Sequence, residues 1–199
     1  MSLRAVGLVA AAGRSGRMGR PKALLSTSLV DPIGPDEPWV ARLVRALREG
    51  GVGDVIVTVP DDVDVAASIR QAVGPHARTA RNVRPELGLS GSVIAALEDS
   101  GDADVLVICP VDAPGAQASM VRRLLDAIAA GAAAAVVVHG GRRGHPAAFS
   151  ASTWAALRAA GEQGGPRAVL AAVGAVEVDI DDPAVLWDLN TVADIDRRA

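Results

Sequence analysis

The sequence predicts an α/β fold, a three-layer α/β/α sandwich built on a mostly parallel sheet. Three observations carry that expectation. Apolar runs of strand length alternate with stretches of helical periodicity along most of the 199 residues, the order that builds βα units. The clearest run, 104–109, reads Asp-Val-Leu-Val-Ile-Cys. Beyond its first residue it is apolar and rich in β-branched side chains, as strands covered on both faces are. The helical stretches keep their apolar residues on one side, as Met120, Leu124, Leu125 and Ile128 do, so each has a face to lay on a sheet. The length suits one domain over residues 1–199 with a sizeable core.

Residues 3–10 are the first strand. The chain opens like a secretory leader, with Arg4 before an apolar run. That run leads straight into a glycine- and arginine-rich loop which cleavage would destroy, so it is read as a strand. Residues 26–37 are turn-rich, with Pro32, Gly34 and Pro35. A helix follows over 38–49, with Trp39, Leu43, Val44 and Leu47 at helical spacing and Gly50-Gly51 ending it. Residues 54–59 form a short buried strand, and Asp61 or Asp62 caps a helix running through Val73. A third strand over 77–83, a helical run over 93–97, the strand 104–109, a helix over 119–130 and a buried strand over 134–138 come next. A short strand over 146–149 precedes alanine-rich helices over 152–160 and 166–173, a strand over 175–179 and a last helix from Thr191. Open sheets of this kind bind ligands beyond the carboxyl ends of their strands. That puts the loops after residue 10 and after Cys109 at the working end.

The net charge of −3 gives no overall attraction to nucleic acid or to an anionic membrane. With no tyrosine and one phenylalanine, Phe149, the chain has few rings on which single-stranded bases would stack. Neither nucleic acid nor membrane is an expected partner. Cys109, the single cysteine, excludes an internal disulfide and fits a cytoplasmic location. At the end of an apolar run it reads as a buried, inert thiol. No apolar run approaches membrane-spanning length.

The loop after the first strand concentrates the chemistry. Gly13, Gly16 and Gly19 keep the backbone open, so that amide N–H groups can approach a ligand. Arg14, Arg17, Arg20 and Lys22 crowd positive charge beside them. Lys22 is the only lysine among 20 basic residues, which suggests that a compact point charge is needed there. Such a loop suits a polyphosphate, although an ordinary solvated loop shares its composition. Its spacing is neither G-x-G-x-x-G nor a Walker loop, since no Gly-Lys-Ser/Thr follows.

The run from Ala10 to Lys22 resembles the L-A-A-G-x-S-x-R-M-G-x-P-K signature of the MobA-like nucleotidyltransferases, with Ala10 where leucine is usual. This family includes the molybdenum-cofactor cytidylyl- and guanylyltransferases. The resemblance implies a Rossmann-like sheet of the nucleotide-diphospho-sugar transferase type. It also implies a magnesium-dependent transfer of a nucleotidyl group from an NTP to a small phosphorylated acceptor, most simply molybdopterin. A protein partner receiving the product would follow. Lys22 would neutralise the α-phosphate, Arg17 would hold the outer phosphates and Arg14 would assist. Ala11, Ala12 and Gly13 would set backbone groups against base and ribose. Ala11-Ala12-Gly13 and Gly88-Leu89-Ser90 look more like the cytidylyl branch than the guanylyl branch, so CTP is favoured over GTP.

Asp112, in Pro110-Val111-Asp112-Ala113-Pro114, resembles the family's D-x-P metal ligand; a turn aspartate before proline is the plainer reading. Asn190, in Asp188-Leu189-Asn190-Thr191, resembles the residue that shares the metal. There Val192-Ala193 replace the usual Pro-Glu, and Asn190 or Thr191 also reads as a helix N-cap. Gly88 and Ser90 lie in a segment resembling one that lines the nucleotide site, with Ser90 equally readable as an N-cap. Arg81 and Asn82, just upstream, are placed to reach the base. His145, in Gly144-His145-Pro146, and Arg167, in Gly164-Gly165-Pro166-Arg167, resemble acceptor-side elements. Two other readings remain. One is a nucleotide-binding module without catalysis on the same fold. The other is a serine hydrolase using Ser90, Asp112 and His145, although Ser92 stands where the nucleophile elbow needs glycine.

Overall fold

β1 (Ala5–Ala10) runs through the middle of the sheet with apolar side chains on both faces. Ala5 and Val9 enter one core cluster, and Val6 and Leu8 enter another. Alternation about the strand axis sends neighbours to opposite faces, so a strand sandwiched between two helix layers must be apolar throughout. The computed structural model that shows this describes residues 3–13, 18–31 and 33–197.

The other elements follow in chain order. They are α1 (Trp39–Glu49), β2 (Asp54–Val59), α2 (Val63–Val73), β3 (Arg78–Arg81), α3 (Leu89–Glu98), β4 (Val105–Pro110), α4 (Ala118–Ala129), β5 (Ala134–His139) and β6 (Arg142–Ser150). The last are α5 (Trp154–Ala159), α6 (Gly165–Ala172), β7 (Val176–Asp179) and α7 (Val192–Asp196). The sheet order is β3-β2-β1-β4-β6-β5-β7. Pairing is parallel except on the two sides of β6. The expected three-layer, mostly parallel architecture is the one observed.

One core cluster joins α1, α2 and α4 to the sheet through residues such as Leu43, Leu47, Ile69, Met120 and Leu124. The other joins α3, α5 and α6 through Val93, Leu97, Phe149, Leu157 and Leu170. A third is small: Met18, Leu25, Val30, Trp39, Leu189 and Ile195 fasten the lysine-bearing segment to the start of α7. The turn-rich segment 26–37 closes on this cluster, where Trp39 Nε1 donates to the Ser26 carbonyl (3.1 Å).

The largest departure from expectation is β6. Only 146–149 reads as a strand, because residues 142–145 are Arg-Arg-Gly-His and carry no apolar pattern. The strand begins at Arg142, since Gly140 and Gly141 both take positive φ (56° and 74°) and make the tight turn of a hairpin with β5. The third strand is shorter than 77–83, ending at Arg81. At the helix starts, Asp62 is the cap of α2, accepting from Val65 N–H. The cap of α3 is Gly88 rather than Ser90.

Candidate active site

β1 and β4 are neighbours in register, with Ala10 beside Pro110. Their loops therefore leave the carboxyl edge of the sheet side by side, and Val111 N–H donates to the Ala10 carbonyl (3.2 Å). The β4 loop delivers Asp112. The β1 loop passes through Gly19, whose φ of 67° suits glycine, and on to Lys22 in a single 3₁₀ turn. Lys22 is buried, and its Nζ donates to Asp112 Oδ2 (3.1 Å) and Asn190 Oδ1 (2.8 Å). Three residues far apart in sequence thus meet at one ammonium group.

Asn190 is held by the start of α7. The Thr191 hydroxyl accepts from Asp194 N–H, and the Asp194 carboxylate accepts from the N–H groups of Thr191 (2.8 Å) and Asn190 (3.0 Å). This reciprocal cap fixes the first turn of α7 and with it the position of Asn190. The Thr191 hydroxyl, and then its backbone N–H, hold the Asp194 carboxyl down at about 2. Asn190 Nδ2 donates to Asp188 Oδ1 (2.6 Å), which leaves Asn190 Oδ1 facing Lys22. Leu189 N–H donates to the Asp112 carbonyl (2.9 Å), joining the two oxygen-bearing segments through backbone. Arg42 braces the Asp112 loop from α1: its Nε donates to the Pro114 carbonyl (2.9 Å), and its Nη1 reaches Asp31 (3.2 Å).

Asp112 Oδ2 and Asn190 Oδ1 converge on one cation, the Lys22 ammonium. Hard oxygen donors of this kind suit magnesium or manganese. Among the described residues no group of three or more His, Cys, Asp or Glu converges. A divalent ion here would thus take the rest of its shell from water and phosphate, as magnesium commonly does. The residues fit the ion that the motifs imply.

One cavity opens at Asp112, and a second shares two wall residues with it. The smaller, about 300 Å³, is lined by Ala10, Ala12, Gly13, Asn82, Gly88, Ser92, Asp112 and Asp188 among others. The larger, about 820 Å³, is lined by apolar residues such as Leu87, Ile108, Phe149 and Leu170, together with Ser90, Arg143 and Arg167. Leu89 and His145 border both. Burial pulls the His145 imidazole below its usual range, which keeps it neutral, and its Nδ1 is buried without a hydrogen-bond partner.

Several expected positions change. Ser90 lines the larger cavity, packed against Gly165, and not the smaller one. Ala11 turns into the core, and its N–H is spent on the Thr58 carbonyl (3.2 Å). Arg81 is exposed and paired with Asp61 (2.6 Å), away from the cavity. Arg14 and Arg17 lie outside the described residues. No hydrogen bond joins Ser90, Asp112 and His145 among the described residues, so the hydrolase arrangement is not assembled. Sequence reasoning passed over Ser92, Thr58 and Arg42. Ser92 sits two residues after Ser90, one face of a helix away; the others look like ordinary strand and helix residues.

A mostly parallel sheet with a lysine, a carboxylate and an amide gathered beyond its carboxyl edge, beside a cavity that Asp112 lines, fits a nucleotidyltransferase class of protein. The chain matches the MobA-like NTP transferase domain over residues 7–178. It belongs to that family. A molybdenum cofactor guanylyltransferase of Xanthomonas euvesicatoria is 31% identical over 121 residues, which is 60% of this chain and 52% of that protein. The chain thus matches about half the length of that curated relative. Rv0371c of Mycobacterium tuberculosis superposes with a TM-score of 0.78 at 23% identity, covering 98% of this chain and 97% of that one. Its homologue from Mycobacterium sp. strain JC1 gives 0.76 at 27%, covering 98% and 96%.

Proposed function

We propose that this chain joins the NMP moiety of an NTP to a small phosphorylated acceptor, molybdopterin, and releases pyrophosphate. The observation that carries this reading is the meeting of Lys22, Asp112 and Asn190, with Asp112 on the wall of the smaller cavity. An acceptor phosphate oxygen attacks the α-phosphorus, and the bond from that phosphorus to the bridging oxygen of the β-phosphate breaks as pyrophosphate leaves. The chain's task is to hold both partners in line and to offset developing charge.

Asp112 and Asn190 would hold Mg²⁺, which when bound supplies charge neutralisation across the phosphates. Lys22, on its flexible stem, turns its ammonium to the α-phosphate. Arg17 and Arg14 take the outer phosphates. Ala12, Gly13, Asn82 and Gly88 surround the nucleoside, with Ala11 packed behind them. The larger cavity takes the acceptor, its apolar walls against a flat ring system and Arg167 and neutral His145 at its polar edge. Ser90 then contributes to the acceptor side. A structure of Rv0371c is described as a complex with manganese, which supports a divalent ion in this kind of site.

CTP is the preferred donor, because the smaller cavity holds only about 300 Å³ and Ala12, on its wall, puts a methyl group where the guanylyl signature has glycine. GTP is the second reading, favoured by the guanylyltransferase relative. The buried free thiol of Cys109 fits work in the cytoplasm, with delivery of the product to a protein partner. Among the described residues no helix is long and apolar enough to cross a membrane.

Thermal stabilisation by CTP, GTP, UTP and ATP, with and without Mg²⁺, tests the reading, since a ligand of the native state raises the melting temperature. One preferred base, strengthened by Mg²⁺ and followed by pyrophosphate release with molybdopterin, is the expected result. Binding without turnover would assign a nucleotide-binding module instead. No response to any triphosphate would remove both.

A further inference from the structure

β6 is irregular where it passes the site. Val136 of β5 faces Ala147, and Val138 faces Arg143, so β6 takes four residue steps where β5 takes two. The ladder with β4 ends at Ile108 and Ala147. Residues 144–146 therefore bow out of one ladder and lie beyond the other, a local departure of the kind that re-aims a side chain. Their backbone is nonetheless held. A Cβ on Gly144 would come within 2.1 Å of the Val185 carbonyl oxygen, so this segment lies directly on the turn Pro183–Leu186. Pro146 has no N–H to pair and fixes its own φ. The side chain carried between them is His145.

The two cavities share the wall residues Leu89 and His145. Leu89 is apolar. Among the described residues, His145 is thus the one polar side chain that borders both. The charges of Asp112 and Asp188, on the wall of the smaller cavity, reach it, and so does that of Arg167, on the wall of the larger. The fold itself leaves the ring unsatisfied. Nδ1 is buried with no hydrogen-bond partner, and a buried polar atom without one lowers stability. A neutral imidazole carries one N–H and one lone pair, and its broad χ2 torsion lets the ring turn to meet a ligand.

We infer that His145 is a catalytic residue that donates its N–H to the attacking phosphate of the acceptor, where that phosphate meets the α-phosphate. This rests on the transferase reading and adds the group that aligns the nucleophile. The place follows from the shared wall: a side chain bordering both the acceptor cavity and the Asp112 cavity is in reach of a phosphate that joins the two. The chemistry follows from charge. Lys22 and a divalent ion would already act on the α-phosphate. A further cation at the nucleophile would blunt its attack, whereas a neutral N–H orients the oxygen and leaves its charge in place. The substrate then supplies the partner that the free fold withholds.

The variants His145→Leu, His145→Asn and His145→Gln test this, with molybdopterin as acceptor and the preferred triphosphate with Mg²⁺ as donor. Leucine removes both nitrogens, asparagine sets an amide near Nδ1, and glutamine sets one near Nε2. Each chain is read by its melting temperature without substrate, by calorimetric binding of the triphosphate, and by kcat and KM for molybdopterin. His145→Leu is expected to melt about 2–4 °C above the wild-type chain, because an apolar group replaces an unpaired buried nitrogen. Its triphosphate affinity should stay within about twofold of the wild-type value, while kcat falls about 10- to 100-fold, the worth of one hydrogen bond to a charged oxygen. One of the two amides should regain part of that loss. An unchanged kcat in His145→Leu, a loss that neither amide recovers, or a triphosphate affinity that falls in parallel with kcat overturns the inference. A lowered melting temperature in all three variants overturns it as well, since the ring would then be held by the fold. No turnover by the wild-type chain with CTP, GTP, UTP or ATP overturns the transferase reading with it.

Discussion

Lys22 Nζ stands 3.1 Å from Asp112 Oδ2, across 90 residues of sequence. The same ammonium donates to Asn190 Oδ1, so the lysine lies between the two oxygens that would hold a divalent ion. Two cations cannot share one carboxylate oxygen and one amide oxygen without strong repulsion. The lysine and a divalent ion would therefore compete in the free protein, and a bound phosphate would give the ammonium a new partner. Lys22→Met should lower turnover by about 10²–10³-fold, the loss seen when one charge-stabilising group is removed from a transition state. It should also tighten Mn²⁺ binding to the free protein, read by electron paramagnetic resonance. Weaker Mn²⁺ binding in that variant would show that the lysine assists the ion.

Both oxygens should respond to charge in the same sense, so removing and adding a carboxylate should act oppositely. Asp112→Asn keeps the shape and removes the carboxylate that Lys22 meets at 3.1 Å; Mn²⁺ affinity should fall about tenfold or more. Asn190→Asp adds a carboxylate at 2.8 Å from the same point, and affinity should rise. Equal affinities in the three proteins would move the ion site elsewhere.

Much of this was legible in the sequence because it rests on local pattern. Apolar runs named the strands, and the crowding of glycine, arginine and one lysine after β1 named the working loop. The Thr191 cap was readable as well. Other features depend on what meets across space. The first half of β6 has no apolar alternation, and only the Gly140-Gly141 turn signals it. The sequence groups Ser90 with Gly88, yet the helix begins one residue after Gly88, so Ser92 lines the smaller cavity while Ser90 meets Gly165. The motif sets Ala11 toward a ligand, but its N–H continues the contact with β2. Register and helical phase decide such cases, and neither is visible in residue type.

Glycines hold the site segments together from behind. A Cβ on Gly115 would overlap the Ala184 carbonyl oxygen, and one on Gly144 would overlap the Val185 carbonyl oxygen. Both carbonyls belong to the turn that leads into Asp188 and Asn190. Gly115→Ala should cost about 1–3 kcal/mol of stability by overpacking. It should also weaken Mn²⁺ binding, since the turn must shift. Chemical denaturation and Mn²⁺ titration read the two effects; full stability would show that the turn yields freely.

Cys109 is expected to be silent. Burial, and next the charge of Asp112, push its thiol up to about 12, so thiolate is negligible at pH 8. A thiol reagent should label the native chain only at the rate of unfolding and should react at once in denaturant. Rapid native labelling would place the thiol at the surface.

Asp194 links the cap of α7 to pH. Its carboxyl lies at about 2 against an ordinary value of 3.8, because Thr191 donates to the charged form. A carboxyl depressed in the folded state contributes stability that is complete above the unfolded value and disappears as pH falls through the folded one. Asp194→Ala should therefore melt below the wild-type chain at pH 6, and the gap should close between about pH 4 and pH 2. The same carboxylate receives the N–H of Asn190, so the variant should also bind Mn²⁺ more weakly at neutral pH. A melting gap that persists unchanged down to pH 2 would mean that the cap acts through packing rather than through the ionised carboxylate.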